Sequence, residues 1–203
     1  MNWEKLVSKK VPGRLIFTSS PDRGLSNLLY CLPYAKEYIP ELELHVTYGF
    51  HNWEKFAHQR SDKSGLEKIA ALKAEIEKHK DWVIFHDRLP QPKLAELWHS
   101  TYVWCYLDTF WETYCLSAKE AQCTATPIVT SNVAALETTV GDYGIRIKHH
   151  PYSKDGRQQL VDEVVKLHQD RDYWIEWSKR ALAGSDGVSW DDRWNNYWSR
   201  WLA

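Results

Sequence analysis

Two glutamates, Glu112 and Glu120, stand with seven residues between them inside the stretch from Tyr106 to Gly144. An ionised carboxylate accepts hydrogen bonds at both oxygens, so a pair of them suits recognition of sugar or ribose hydroxyls. Eight positions apart, they do not share a helix face by simple stacking. They reach one edge together if Glu112 ends a loop and Glu120 lies in the second turn of the following helix. The other reading needs no ligand: Glu112 is then a charge at a helix N-terminus and Glu120 a surface residue. A third glutamate, Glu137, either touches a ligand or favours the start of a short helix. Further upstream, Ser19, Ser20 and Arg23 lie in the polar loop Ser19-Ser-Pro-Asp-Arg-Gly24, where hydroxyls and a guanidinium could meet phosphate. Alone, that loop reads equally well as ordinary surface.

These groups need a frame, and apolar runs supply it. Arg14 to Thr18, Leu42 to Tyr48, Trp82 to Phe85, Tyr102 to Tyr106, Pro127 to Thr130 and Ile145 to Ile147 read as strands. Between them lie helical patterns: Leu25, Leu28, Leu29 and Leu32, closed by Pro40; Phe50 to Arg60; Leu66, Ile69, Leu72 and Ile76; Leu94, Leu97 and Trp98, beginning after Pro92; and Tyr114 to Cys123. Strand, helix and strand in alternation predict a parallel α/β sheet of about six strands. The chain after His150 reads as helical, with Trp174 and Trp177 opening a helix that Gly184 to Gly187 interrupts. A last helix over 189–202 follows, carrying Trp190, Trp194, Trp198 and Trp201 on one face. In such a sheet the loops after the strands share one edge, where ligands bind. Helix N-termini at that edge offer free N–H groups to anions.

The 203 residues suit one substantial domain, read here as a single unit over 1–203. With 26 basic and 27 acidic side chains the net charge is −1, so there is no general electrostatic surface for nucleic acid. The 12 tryptophans suggest a large amphipathic contact surface, and the terminal stripe a face for another domain or chain. Four cysteines without a CxxC pair argue against a zinc or redox motif; Cys31, Cys105 and Cys123 read as buried thiols in a reducing, cytoplasmic setting. No metal-ligand spacing appears among the histidines, no leader-like apolar core opens the chain, and no run approaches a membrane span.

Glu112-Thr-Tyr-Cys-Leu-Ser-Ala-Lys-Glu120, followed by Ala121-Gln-Cys-Thr-Ala-Thr-Pro127-Ile-Val129 and then Glu137, resembles the E-x7-E signature of retaining GT-B glycosyltransferases of the family 4 type. The Ser19 to Gly24 loop and the segment Trp82-Val-Ile-Phe-His-Asp-Arg-Leu89 are similar to neighbouring parts of that family's C-terminal, nucleotide-sugar-binding domain, in the same order. The resemblance implies a Rossmann-like domain that takes a nucleotide-diphosphate sugar as donor, with no metal and no further cofactor. Glu120 would bind the ribose and Glu112 would sit near the donor sugar. Arg23 would neutralise the departing diphosphate, with Ser19 and Ser20 beside it. Main-chain N–H groups of Tyr114, Cys115 and Leu116 would meet sugar or phosphate, and Arg88 would lie on the loop that receives the base. Glu112 and Arg23 are thus the catalytic candidates. Where the family places glycines, this chain has Thr113 and Cys115. A complete enzyme of this kind also needs an acceptor domain, expected as a missing N-terminal half or as a protein partner met through the Trp-rich helix. The rival reading is a non-catalytic module that binds protein or carbohydrate on the same fold.

Overall fold

A computed structural model describes residues 2–185. Six strands form one parallel sheet: β1 (Arg14–Phe17), β2 (Glu43–Thr47), β3 (Val83–Asp87), β4 (Val103–Tyr106), β5 (Ile128–Ser131) and β6 (Ile145–Ile147), in the order β3-β2-β1-β4-β5-β6. The direction of winding reverses between β1 and β4, which pair Leu15 with Val103 and Ile16 with Trp104. At such a point the loops leaving the two strands diverge and open a crevice. Every residue of β4 and β5 is buried, which explains why both read as continuous apolar runs.

The helices are α1 (Trp3–Val7), α2 (Leu25–Lys36), α3 (His51–Gln59), α4 (Lys63–Lys78), α5 (Gln91–Ser100), α6 (Leu116–Cys123), α7 (Leu136–Val140), α8 (Lys154–Gln169) and α9 (Arg171–Ala183). Right-handed crossovers put the α2 connection and the α6 connection on opposite faces, since one winds to each side of the switch point. Accordingly α2 packs with α4 and α8, while α6 packs with α7 and α9. Leu25, Leu28, Leu29 and Leu32 line the buried side of α2, each worth about 1.5–3 kcal/mol relative to exposure. That helix ends at Lys36, short of Pro40, and accommodates Pro33 internally.

Gly24 fixes where α2 begins. Its φ is 89°, and a Cβ there would lie 2.9 Å from both the Leu107 carbonyl oxygen and the Asp108 Cβ. Only glycine lets the loop after β1 close on the loop after β4. At the far end, Ser153 caps α8 by accepting from the Gly156 N–H at 3.0 Å, and Asp170 caps α9 by accepting from the Tyr173 N–H at 3.0 Å. The α8–α9 break therefore rests on a capping carboxylate with no glycine or proline at the joint.

Among the described residues, most tryptophans are packed inside rather than forming a broad contact surface. Trp82, Trp98, Trp104 and Trp174 are core residues, and among those described only Trp111 is broadly exposed, at 79%. Trp174 stacks on Tyr102 with ring centroids 4.7 Å apart and donates its indole N–H to the Tyr102 carbonyl, sealing the base of β4. Cys31 and Cys105 are buried, but Cys123 is only half-buried. The predicted helix over 189–202, with Trp190, Trp194, Trp198 and Trp201, lies outside the described residues.

Candidate functional site

A cleft of about 500 Å³ opens at the switch point, floored by Trp104 and Tyr106 of β4. Its walls are the loop after β1, with Ser19, Ser20 and Arg23, and the approach to α6, with Glu112, Tyr114, Cys115 and Leu116. A hydroxyl bond joins the walls: the Thr18 Oγ1 donates to the Ser117 Oγ at 2.7 Å. Sequence analysis places these seven wall residues at one site, and the structure brings them together. Arg88 is exposed on the loop after β3, and Glu120 lies further along α6; neither lines the cleft.

Arg23 is held at the mouth. Its backbone N–H donates to the Ser20 carbonyl at 2.9 Å, which folds the loop back on itself. The guanidinium carbon lies 3.8 Å from the centroid of the Phe110 ring, and Nη1 is 3.7 Å from the Glu112 Oε1. A ring face beneath a guanidinium is attractive and also restrains it. The Arg23 Nε is buried with no hydrogen-bond partner among the described residues. A buried N–H on a cation is costly to leave unmade, so this atom is a ready donor.

Glu112 is mostly buried and accepts a hydrogen bond from the Tyr106 hydroxyl at 2.9 Å. Burial, then the neighbouring Glu112 carboxylate, push the Tyr106 hydroxyl well above the usual phenol range, so it stays a donor. Glu112 is therefore fixed between a phenol and a guanidinium. Glu120 is engaged elsewhere: its Oε2 accepts from the indole N–H of Trp98 on α5 at 3.0 Å. Burial raises the Glu120 carboxyl above its ordinary value, with the Trp98 bond acting the other way.

Helix α6 starts at Leu116, two residues later than the pattern Tyr114 to Cys123 predicts. Cys115, at its N-cap, has φ 60° and ψ 83°, a left-handed backbone that cannot continue into a right-handed helix. This is one of the two places where the resembled family has glycine. Here the left-handed backbone carries a side chain, at a cost of about 1–2 kcal/mol. Burial pushes the Cys115 thiol up to about 12, so it is no nucleophile near neutrality. Among the described residues, no three His, Cys, Asp or Glu side chains gather to hold a metal ion.

No protein-family model matches the sequence, and no curated protein matches it. Solved structures do. A glycosyltransferase from Rickettsia africae ESF-5 superposes with a TM-score of 0.70 at 13% identity, over 98% of this chain and 50% of that one. The chain shares its fold with one half of the GT-B glycosyltransferases. Sucrose-phosphate synthase from Thermosynechococcus elongatus gives a TM-score of 0.67 at 18% identity, over 94% of this chain and 45% of the synthase. The pneumococcal O-GlcNAc transferase GtfA, solved with UDP and GlcNAc, gives 0.61 at 17% identity, over 96% of this chain and 37% of that one. The chain thus spans half or less of each of these proteins, and the likeness is one of fold.

Within this GT-B-like half, sequence reasoning passed over Tyr106 as a site residue, although its hydroxyl grips Glu112. The available signal was a tyrosine ending a buried strand at the ligand edge, six residues before that glutamate. Tyr48, Phe110 and Ser117 were passed over too. His86, at the end of β3, faces His45, with Nε2 2.8 Å from the His45 Nδ1.

Proposed function

We propose that the cleft binds a nucleotide-diphosphate sugar and that the chain is the donor half of a retaining glycosyltransferase, working with an acceptor domain or partner that these residues do not supply. The observation that carries this reading is Arg23, held over Phe110 at the cleft mouth with a buried N–H that has no partner among the described residues. In the transfer, the bond between the sugar's anomeric carbon and the diphosphate breaks. An acceptor hydroxyl bonds to that carbon, its proton leaves, and negative charge gathers on the departing nucleoside diphosphate. Arg23 and the N–H groups around Tyr114, Cys115 and Leu116, at the positive end of α6, meet that charge without a metal ion. Ser19 and Ser20 supply hydroxyl contacts on the same wall.

Glu112, oriented by Tyr106, faces the donor sugar. Glu120 spends one oxygen on Trp98 and offers the other to the ribose, while the base extends toward the loop bearing Arg88. The four free thiols fit a cytoplasmic setting. Among the described residues, no helix is long and apolar enough to cross a membrane.

Calorimetric titration with UDP, GDP and their sugars tests the reading. One nucleotide is expected to bind, and Arg23→Ala to weaken it at least ~10-fold, the worth of one charge-assisted hydrogen bond. A folded protein that binds none of them overturns the proposal.

A further inference from the structure

A second cavity, of about 370 Å³, adjoins the cleft and shares Ser20, Arg23 and Tyr48 with it. Its far wall is α3, which contributes Asn52, Trp53 and Phe56. Tyr48 and Phe56 are 38% and 52% exposed, which is unusual for rings beside a core. Trp53 is braced from behind by Phe50, the two rings 6.4 Å apart and near parallel. Among the described residues, neither the Asn52 amide nor the Asp22 carboxylate at the rim is spent on a hydrogen bond or ion pair. Arg23 and Arg60 are matched by Asp22 and Asp62, so the lining carries no net charge.

The junction residue is strained. Tyr48 has φ 131°, a conformation that a bulky side chain rarely adopts. Its backbone N–H donates to the Asp87 carbonyl at 3.0 Å. The next residue, Gly49, lies so near Asp87 that a Cβ there would be 1.6 Å from the carboxylate. The chain is pinned here, and the ring is directed to the boundary between the two cavities.

Exposed ring faces with unspent amide and carboxylate groups, and no net charge, suit a neutral carbohydrate. The rings take the apolar C–H faces of a sugar and the polar groups its hydroxyls. We propose that this cavity is a saccharide subsite that holds one end of the acceptor glycan beside the reacting end of the donor, the acceptor domain or partner holding the rest. Its role as an acceptor site rests on the donor reading of the cleft, whereas saccharide binding does not.

The test uses the full chain and the variant Asn52→Ala/Phe56→Ala, whose two side chains are exposed, so that folding is preserved. Chitotriose, maltotriose and cellotriose are titrated by saturation-transfer NMR, and UDP and GDP separately by calorimetry. At least one trisaccharide is expected to bind the wild type and to bind the variant at least tenfold more weakly, with nucleotide affinity held within twofold. Absence of all trisaccharide binding overturns the subsite, as does equal binding by the variant. A parallel loss of nucleotide affinity also overturns it, because the cavity would then hold the base. Saccharide binding without any nucleotide binding would sink the donor reading and the acceptor role while leaving the saccharide site standing.

Discussion

Glu120 carries two demands that pull against each other. Its carboxylate is partly buried beneath the Trp98 indole N–H, and burial raises its affinity for a proton in the folded chain. An acid whose folded value lies above its unfolded one contributes stability that is present at low pH and lost as pH rises through that range. At neutral pH the ionised group therefore works against folding. Glu120→Gln keeps an oxygen for Trp98 and removes the charge, so it is expected to raise the melting temperature at pH 7 by about 2 °C, with the gain vanishing toward pH 4. Thermal melts across that range check it. Under the proposed function, the same substitution weakens nucleotide binding at least tenfold, whereas Glu137→Ala leaves it within twofold. Equal effects of the two would contradict the ribose role. Such a conflict was not legible in the sequence, because Trp98 lies 22 positions away and reaches Glu120 only in the folded chain.

The start of α6 shows what an element costs when its first residue is wrong for its backbone. Cys115→Gly removes the left-handed strain and is expected to raise stability by up to about 1 kcal/mol, the relief offset in part by a looser unfolded chain. Urea denaturation measures it, and a loss of stability would show that the thiol's packing outweighs the strain. Apolar periodicity placed all six strands within about two residues, most of them because parallel strands buried on both faces are continuous in sequence, although the edge strand β3 is half exposed. It overran at Tyr114, since periodicity records which side of a helix is apolar and not where the backbone turns left-handed. It passed over α1, only five residues long, which is anchored by the Trp3 indole donating to the Ser178 hydroxyl on α9 at 2.9 Å. That contact spans 175 positions, so no local pattern announces it.

For the molecule as a whole, parallel topology made the cleft legible: every loop leaving a strand's C-terminal end reaches the same edge, and Ser19, Arg23 and Glu112 had to meet there. The opposite edge holds a surprise. The Lys10 ammonium donates to the Trp98 carbonyl at 3.2 Å and the Thr126 hydroxyl at 2.6 Å, and burial lowers it from 10.5 to about 7. Between those two values the unfolded chain holds the proton and the folded chain does not, so stability rises with pH across this window and the penalty is complete below about 7. The stability of wild type relative to Lys10→Met is expected to climb from pH 7 to 10 with a slope of up to about 1.4 kcal/mol per pH unit, measured by chemical denaturation. A flat difference would refute it. At the upper edge, the Thr18–Ser117 hydroxyl bond has an energetic meaning. With these lips already tied at 2.7 Å, the two walls keep their spacing before a ligand arrives. Little ordering of these walls is then left to the ligand, and what it does not spend on drawing them together remains as affinity.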